Sequence, residues 1–186
     1  MPSGYTFDPV QIAQELNDFN RKIASGADIL AHLENIDVAH TNSIEICTDH
    51  ITTLRHYSPI AENRCKTPVL IVFALVNRPY ILDLQPDRSF IKRLLENGLD
   101  VYLLDWGTPE RSDRFLSTDD YINGYLRRAV REICRNHRIP AINVLGICQG
   151  GTMALALASI HTQLVKNLIT INTPVDFHEP INHASH

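Results

Sequence analysis

Residues 142–155 read Ile-Asn-Val-Leu-Gly-Ile-Cys-Gln-Gly-Gly-Thr-Met-Ala-Leu, which sets Cys148 between Gly146 and Gly150 in a Gly-x-Cys-x-Gly pattern. An apolar run precedes the pattern and a string of small residues follows it. That order suits a nucleophile elbow, a tight turn from strand to helix that lifts a reactive side chain above a sheet. Glycine flanks the turn because a Cβ two residues to either side would crowd it. The helix N-terminus after Cys148 favours negative charge, so the position is expected to favour a thiolate. The competing reading is a buried structural thiol, the commonest state of a free cysteine. A legible strand before the turn and a legible helix after it favour the elbow. Serine is usual at this position, so cysteine is itself a functional signal.

The elements that must hold such a turn follow from the hydrophobic pattern. Residues 8 to about 33 are predicted as an amphipathic helix. Asp8 is its N-cap, Pro9 opens it, Phe7 is placed to staple against Ile12, and Leu16, Phe19, Ile23 and Leu30 continue the face. Two short strands are predicted within residues 43–57, turning through residues 48–50. Val69 to Leu75 reads as a buried strand opened by Pro68. Asp87 to Asn97 reads as a helix stopped by Gly98, and Val101 to Asp105 as the next strand. A polar loop, 106–117, leads to a helix from Thr118 with Ile122, Leu126, Ala129 and Ile133 inward. The nucleophile strand and helix follow, then a strand over Leu168–Asn172. Alternating strands and helices imply a mostly parallel sheet with helices on both faces, and ligands there bind beyond the carboxyl ends of the strands. With the elbow, this predicts an α/β-hydrolase fold. Residues 1–42 form an N-terminal helical segment, and residues 43–186 a partial core that lacks its C-terminal strands.

Composition narrows the function. Seventeen basic and 21 acidic residues give a net charge of −4 with no basic tract, which argues against nucleic acid. The longest apolar run is too short to cross a bilayer, and the first residues lack a signal-peptide pattern. Cys47, Cys65, Cys134 and Cys148 have neither Cys-x-x-Cys pairing nor zinc spacing, so reduced thiols in a cytoplasmic protein are expected, with no metal site.

Four segments carry a resemblance: residues 74–85 (Ala-Leu-Val-Asn-Arg-Pro-Tyr-Ile-Leu-Asp-Leu-Gln), residues 98–107 (Gly-Leu-Asp-Val-Tyr-Leu-Leu-Asp-Trp-Gly), Gly146-Ile-Cys-Gln-Gly-Gly151, and residues 172–177 (Asn-Thr-Pro-Val-Asp-Phe). In these the chain resembles polyhydroxyalkanoate synthase catalytic subunits, above all the short-chain type that works with a second, non-catalytic subunit. The resemblance implies polymerisation of (R)-3-hydroxyacyl-coenzyme A with release of coenzyme A, through a thioester on Cys148. It implies no cofactor beyond that thioester substrate, a second subunit as partner, and work at a polyester granule surface. Homo-oligomerisation stays open. The chemistry agrees, because a thiolate exchanges one thioester for another and keeps the acyl group activated. An oxyanion would be met by the backbone N–H of Gln149 and by one from the loop after the first buried strand, with Val76 and Asn77 as candidates. Arg78 is either a phosphate contact for coenzyme A or a solvated arginine.

In this fold the nucleophile is followed in the chain by an acid and then a histidine. Neither of the family's segments for these aligns to residues up to His186, so the stretch reads as the family's N-terminal half. It is expected to be inactive alone, with its last strand an uncovered edge. Asp176 with His178, His183 or His186 is a local substitute for the triad, weighed against an ordinary polar tail. Two alternatives remain, a cysteine-based ester or lactone hydrolase and a non-catalytic synthase fragment.

Overall fold

A computed structural model describes residues 9–31 and 41–176, in two units. The first holds α1 (Pro9–Ala31), which begins at the proline that the sequence places first. Leu16, Phe19 and Ile23 recur at helical spacing and are exposed, and Asp18 pairs with Arg21 at 2.7 Å. The expected cap Asp8 and staple Phe7 lie outside the described residues, as do the side chains of Ile12 and Leu30.

The second unit is a six-stranded sheet in the order β1-β2-β4-β3-β5-β6. Its strands are β1 (Ile44–Asp49), β2 (Thr52–Tyr57), β3 (Val69–Val72), β4 (Val101–Asp105), β5 (Ile142–Ile147) and β6 (Val165–Ile171). β1 and β2 form a hairpin antiparallel to β4, and β4, β3, β5 and β6 run parallel. Because strand side chains alternate between faces, the sheet divides its apolar residues into two cores. Leu70, Val72, Leu104 and Val144 face α3 (Arg127–His137) and α4 (Gln149–Ile160), while Val69, Ile71, Leu103 and Leu145 face α2 (Phe90–Glu96). The mostly parallel sheet with helices on both faces is thus as the sequence predicts.

Boundaries differ where tertiary contacts take over. β3 ends at Val72, not Leu75, because the chain turns out of the ladder: the buried Trp106 indole donates to the Phe73 carbonyl at 2.9 Å. α2 begins at Phe90, not Asp87, because the Ser89 hydroxyl caps it by accepting from the Lys92 amide at 2.9 Å. Gly98 ends that helix with φ +80°, a conformation only glycine adopts freely. The 106–117 loop holds a short 3-10 helix, Arg111–Phe115, and the helix expected from Thr118 runs through a π-helical stretch, Asp120–Leu126, before α3. Its inward set is as expected, with Ile122, Leu126, Ala129 and Ile133 all buried. β6 starts three residues earlier than predicted, as Val165 already pairs with Ile142.

At the amino end of β4, Asp100 ties three elements together. It accepts from His56 of β2 at 2.6 Å and lies 3.5 Å from His137 of α3, which also bonds the Tyr102 hydroxyl at 2.9 Å. This polar knot lies at the end of the sheet away from Cys148.

Candidate active site

Cys148 is the N-cap of α4, between the end of β5 and Gln149. Its backbone has φ +55° and ψ −130°, a combination that costs a non-glycine residue on the order of 1–3 kcal/mol and persists only where surroundings enforce it. The enforcement is visible. The Cys148 amide donates to Ile171 of β6 at 2.9 Å, and its carbonyl accepts from Gly151 at 2.9 Å. The flanking glycines are close-approach positions. A Cβ on Gly146 would lie 2.9 Å from the Gly151 nitrogen and 3.0 Å from Ala154 Cβ, and one on Gly150 2.6 Å from the Val72 carbonyl carbon and 2.7 Å from the Phe73 oxygen. Gly151 is a third such position that the motif alone does not reveal, since a Cβ there would run into Thr173 after β6. The thiol is exposed, as an elbow requires and a buried structural cysteine does not.

The loop after β3 is gripped from three directions. Trp106 holds the Phe73 carbonyl, the Leu75 amide donates to Gln149 Oε1 at 3.2 Å, and the Arg78 guanidinium donates to Thr108 Oγ1 at 2.8 Å. At Leu75 the loop therefore lies against the first residue of α4, one and two residues before the oxyanion candidates Val76 and Asn77. Gln149 opens that helix, where N–H groups have no partner within the helix itself. Val76 is 87% exposed, and Asn77 Oδ1 accepts from the Arg78 amide at 2.8 Å. Arg78 thus joins the loops after β3 and β4.

The described histidines are engaged elsewhere. His50 pairs with Asp113 at 2.7 Å, His56 with Asp100, His137 with Tyr102, and His161 with Asn123 at 2.7 Å. None bonds Cys148, so the described residues place no imidazole base at the thiol. Asp176 is exposed beyond β6, and its suggested partners His178, His183 and His186 lie outside the described residues. Among the described residues, no cluster of His, Cys, Asp and Glu could hold a metal ion. No helix there is long and apolar enough to cross a membrane.

Beside the elbow lies a mainly apolar cavity of about 500 Å³, lined by Leu75, Leu116, Tyr121, Gln149, Met153 and Ala156. Sequence reasoning missed it, because the π-helical stretch supplies Tyr121 from a position that only the fold brings near α4. A larger cavity of about 660 Å³, lined in part by Ser43, His56 and Lys92, lies away from the nucleophile.

Comparison with known proteins agrees with this geometry. The alpha/beta hydrolase fold family matches residues 67–185, and the N-terminus of poly-beta-hydroxybutyrate polymerase matches residues 16–94. The chain is 46% identical over 175 residues to a poly(3-hydroxyalkanoate) polymerase subunit PhaC of Thiocystis violacea, covering 94% of this chain and 49% of that protein. The corresponding subunit of Allochromatium vinosum is 44% identical over 176 residues, covering 94% of this chain and 50% of that protein. The chain thus spans about half the length of the curated relatives it matches. Among solved structures, the Francisella virulence factor BioJ aligns with a TM-score of 0.54 at 19% identity, over 84% of this chain and 52% of that one. A sugar hydrolase of Lactococcus lactis aligns with a TM-score of 0.54 at 15% identity, over 73% of this chain and 55% of that one. At these identities the likeness is one of fold.

Proposed function

We propose that this chain, which belongs to the alpha/beta hydrolase fold family, carries the nucleophile of a polyester-forming acyltransferase that uses (R)-3-hydroxyacyl-coenzyme A. The observation that carries the reading is an exposed cysteine, not serine, on a strained elbow at the head of α4. The Cys148 thiolate attacks the thioester carbonyl, the bond from the acyl carbon to the coenzyme A sulfur breaks, and coenzyme A leaves as a thiolate that takes a proton from solvent. The acyl group now rests on Cys148 as a thioester of similar reactivity. A hydroxyl, from the growing chain or the next monomer, attacks it, gives its proton to a base, and returns Cys148 as thiolate with the chain one unit longer.

The tetrahedral oxyanion in both steps is held by the Gln149 N–H and by Val76 or Asn77 N–H. The apolar cavity next to Gln149 suits the acyl portion, since the charged nucleotide of coenzyme A would gain nothing from its walls. The likeness to two poly(3-hydroxyalkanoate) polymerase subunits supports the substrate class, and we propose a second, non-catalytic subunit and a polyester surface as partners.

The test is incubation of the chain, extended to the full length of the polymerase subunits it matches, with 3-hydroxybutyryl-coenzyme A, followed by free coenzyme A assay and peptide mapping. Coenzyme A released together with an acyl group on Cys148, and neither with Cys148→Ala, is the expected result. Free 3-hydroxybutyrate as sole product would favour the cysteine hydrolase, and no reaction would reject both.

A further inference from the structure

An oxyanion hole needs two backbone donors at a fixed separation, yet here the candidates, Gln149 and Val76 or Asn77, lie 73 or 72 residues apart in sequence. One is on α4 and the other in the loop after β3. Among the described residues, the Gln149 side chain bridges the start of α4 to that loop, through the 3.2 Å bond from the Leu75 amide to its Oε1. We propose that the Gln149 side chain is a positioning residue that holds the 74–78 loop so that its next amides face the acyl oxygen, while the same residue's backbone N–H supplies the other donor. This inference rests on the acyl-transfer reading above.

Three features support it. The Leu75 amide is turned toward Gln149 Oε1 and is thereby occupied, which leaves Val76 and Asn77, one and two residues further on, to face the acyl oxygen. The loop's other two anchors act at its ends, Trp106 on Phe73 and Arg78 on Thr108, so among the described residues Gln149 is what hydrogen-bonds the turn between them to the nucleophile's helix. Gly150 brings the start of α4 against the carbonyls of Val72 and Phe73, so a side chain from position 149 has only a short distance to reach. Gln149 and Leu75 both line the apolar cavity, so the latched pair is also a wall of the proposed acyl site.

The experiment uses the chain extended to the full length of the relatives it matches as the parent, and compares it with Gln149→Met, which keeps length and loses the acceptor, and Gln149→Glu, which keeps an acceptor oxygen at the same reach. Hydrogen exchange at the Leu75 amide is read first. It should be protected in the parent and in Gln149→Glu and exchange at least about tenfold faster in Gln149→Met. Acylation of Cys148 by saturating 3-hydroxybutyryl-coenzyme A is read second. It should slow about 10- to 100-fold in Gln149→Met, short of the loss of about 10²–10³ for removing a donor outright, with half-saturation changed less than about twofold. Alkylation of Cys148 by iodoacetamide builds no oxyanion, so its rate should stay within about twofold; a merely structural disturbance of the elbow would change it too. Unchanged Leu75 exchange in Gln149→Met, or equal slowing of alkylation and acylation, overturns the proposal. So does faster acylation, which would mean that Leu75 is itself the donor and Gln149 masks it. If the parent is not acylated at all, the acyl-transfer reading fails while the exchange measurement still decides whether the latch exists.

Discussion

Gly150→Ala separates the elbow's geometry from the mere presence of a thiol. The added Cβ would sit 2.6 Å from the Val72 carbonyl carbon and 2.7 Å from the Phe73 oxygen, with the Val72 oxygen nearer still. All are backbone atoms at the end of β3, in the middle of the sheet, and none can rotate away. Restoring ordinary contacts near 3.4 Å requires the start of α4 to retreat by about 1 Å or more. Overpacking of this kind costs typically about 1–3 kcal/mol, and with the sheet unable to yield the upper part of that range is expected. The helix that moves bears Cys148 and the Gln149 amide, whereas the loop of Val76 and Asn77 is held to Trp106 and Thr108. Displacements near 1 Å at a reacting centre cost on the order of 10²-fold, so acylation of Cys148 should fall about that much in protein that remains folded. The measurements are thermal denaturation and the rate of coenzyme A release from 3-hydroxybutyryl-coenzyme A, taken well below the variant's midpoint. A Gly150→Ala protein as stable as the parent, or one that acylates at the parent rate, would refute the argument from close approach.

Three further outcomes are expected. Iodoacetamide followed by peptide mapping should modify Cys148 first, because Cys134 is buried and its thiol is pushed up by that burial, while Cys47 is pushed up by burial and then by Glu132 and Asp49; faster modification of Cys65 would count against the elbow. Trp106→Phe leaves the Phe73 carbonyl without its donor and should cost about 1–3 kcal/mol in denaturant unfolding while also slowing acylation; a loss in stability alone would show that the loop does not need this anchor. The Asp113 carboxyl is held below its ordinary range by the Glu110 amide and then by His50, so its stabilisation is present above about pH 4 and is lost as pH falls through its lower folded value; Asp113→Asn should therefore be less stable at neutral pH and lose less midpoint between pH 5 and pH 3 than the parent.

What could be read from the chain alone depended on how local the controlling interaction was. β4 is found at the predicted residues, Val101–Asp105, because Gly98 before it and Trp106 after it mark both ends within the sequence. The elbow was legible for the same reason, since its strand, turn and helix are contiguous. β3 was read three residues too long because Phe73 and Leu75 leave the ladder for partners 33 and 74 residues away, which no window of sequence contains. α2 starts at Phe90 rather than Asp87 because the Ser89 hydroxyl takes the Lys92 amide, a local cap that apolar periodicity does not register. The π-helical stretch carries the same inward spacing as an ordinary helix, so periodicity could not distinguish it.

The site follows one physical logic. A strained backbone at Cys148 is tolerable only if the sheet end is rigid, and the rigidity comes from main-chain contacts that glycine alone permits. Such packing fixes the backbone of the elbow against β3 and the end of β6, yet it does not orient the loop whose amides are proposed to meet an oxyanion. That task falls to side chains: an indole on Phe73, a guanidinium across to Thr108 and an amide oxygen on Leu75. The glycine contacts are steric and all-or-none, whereas each hydrogen bond contributes on the order of 1 kcal/mol and can be lost singly. Glycine substitutions should therefore displace the whole elbow, while substitutions at Trp106, Arg78 and Gln149 should disturb the loop alone, and that difference is what the proposed acyl-transfer site predicts.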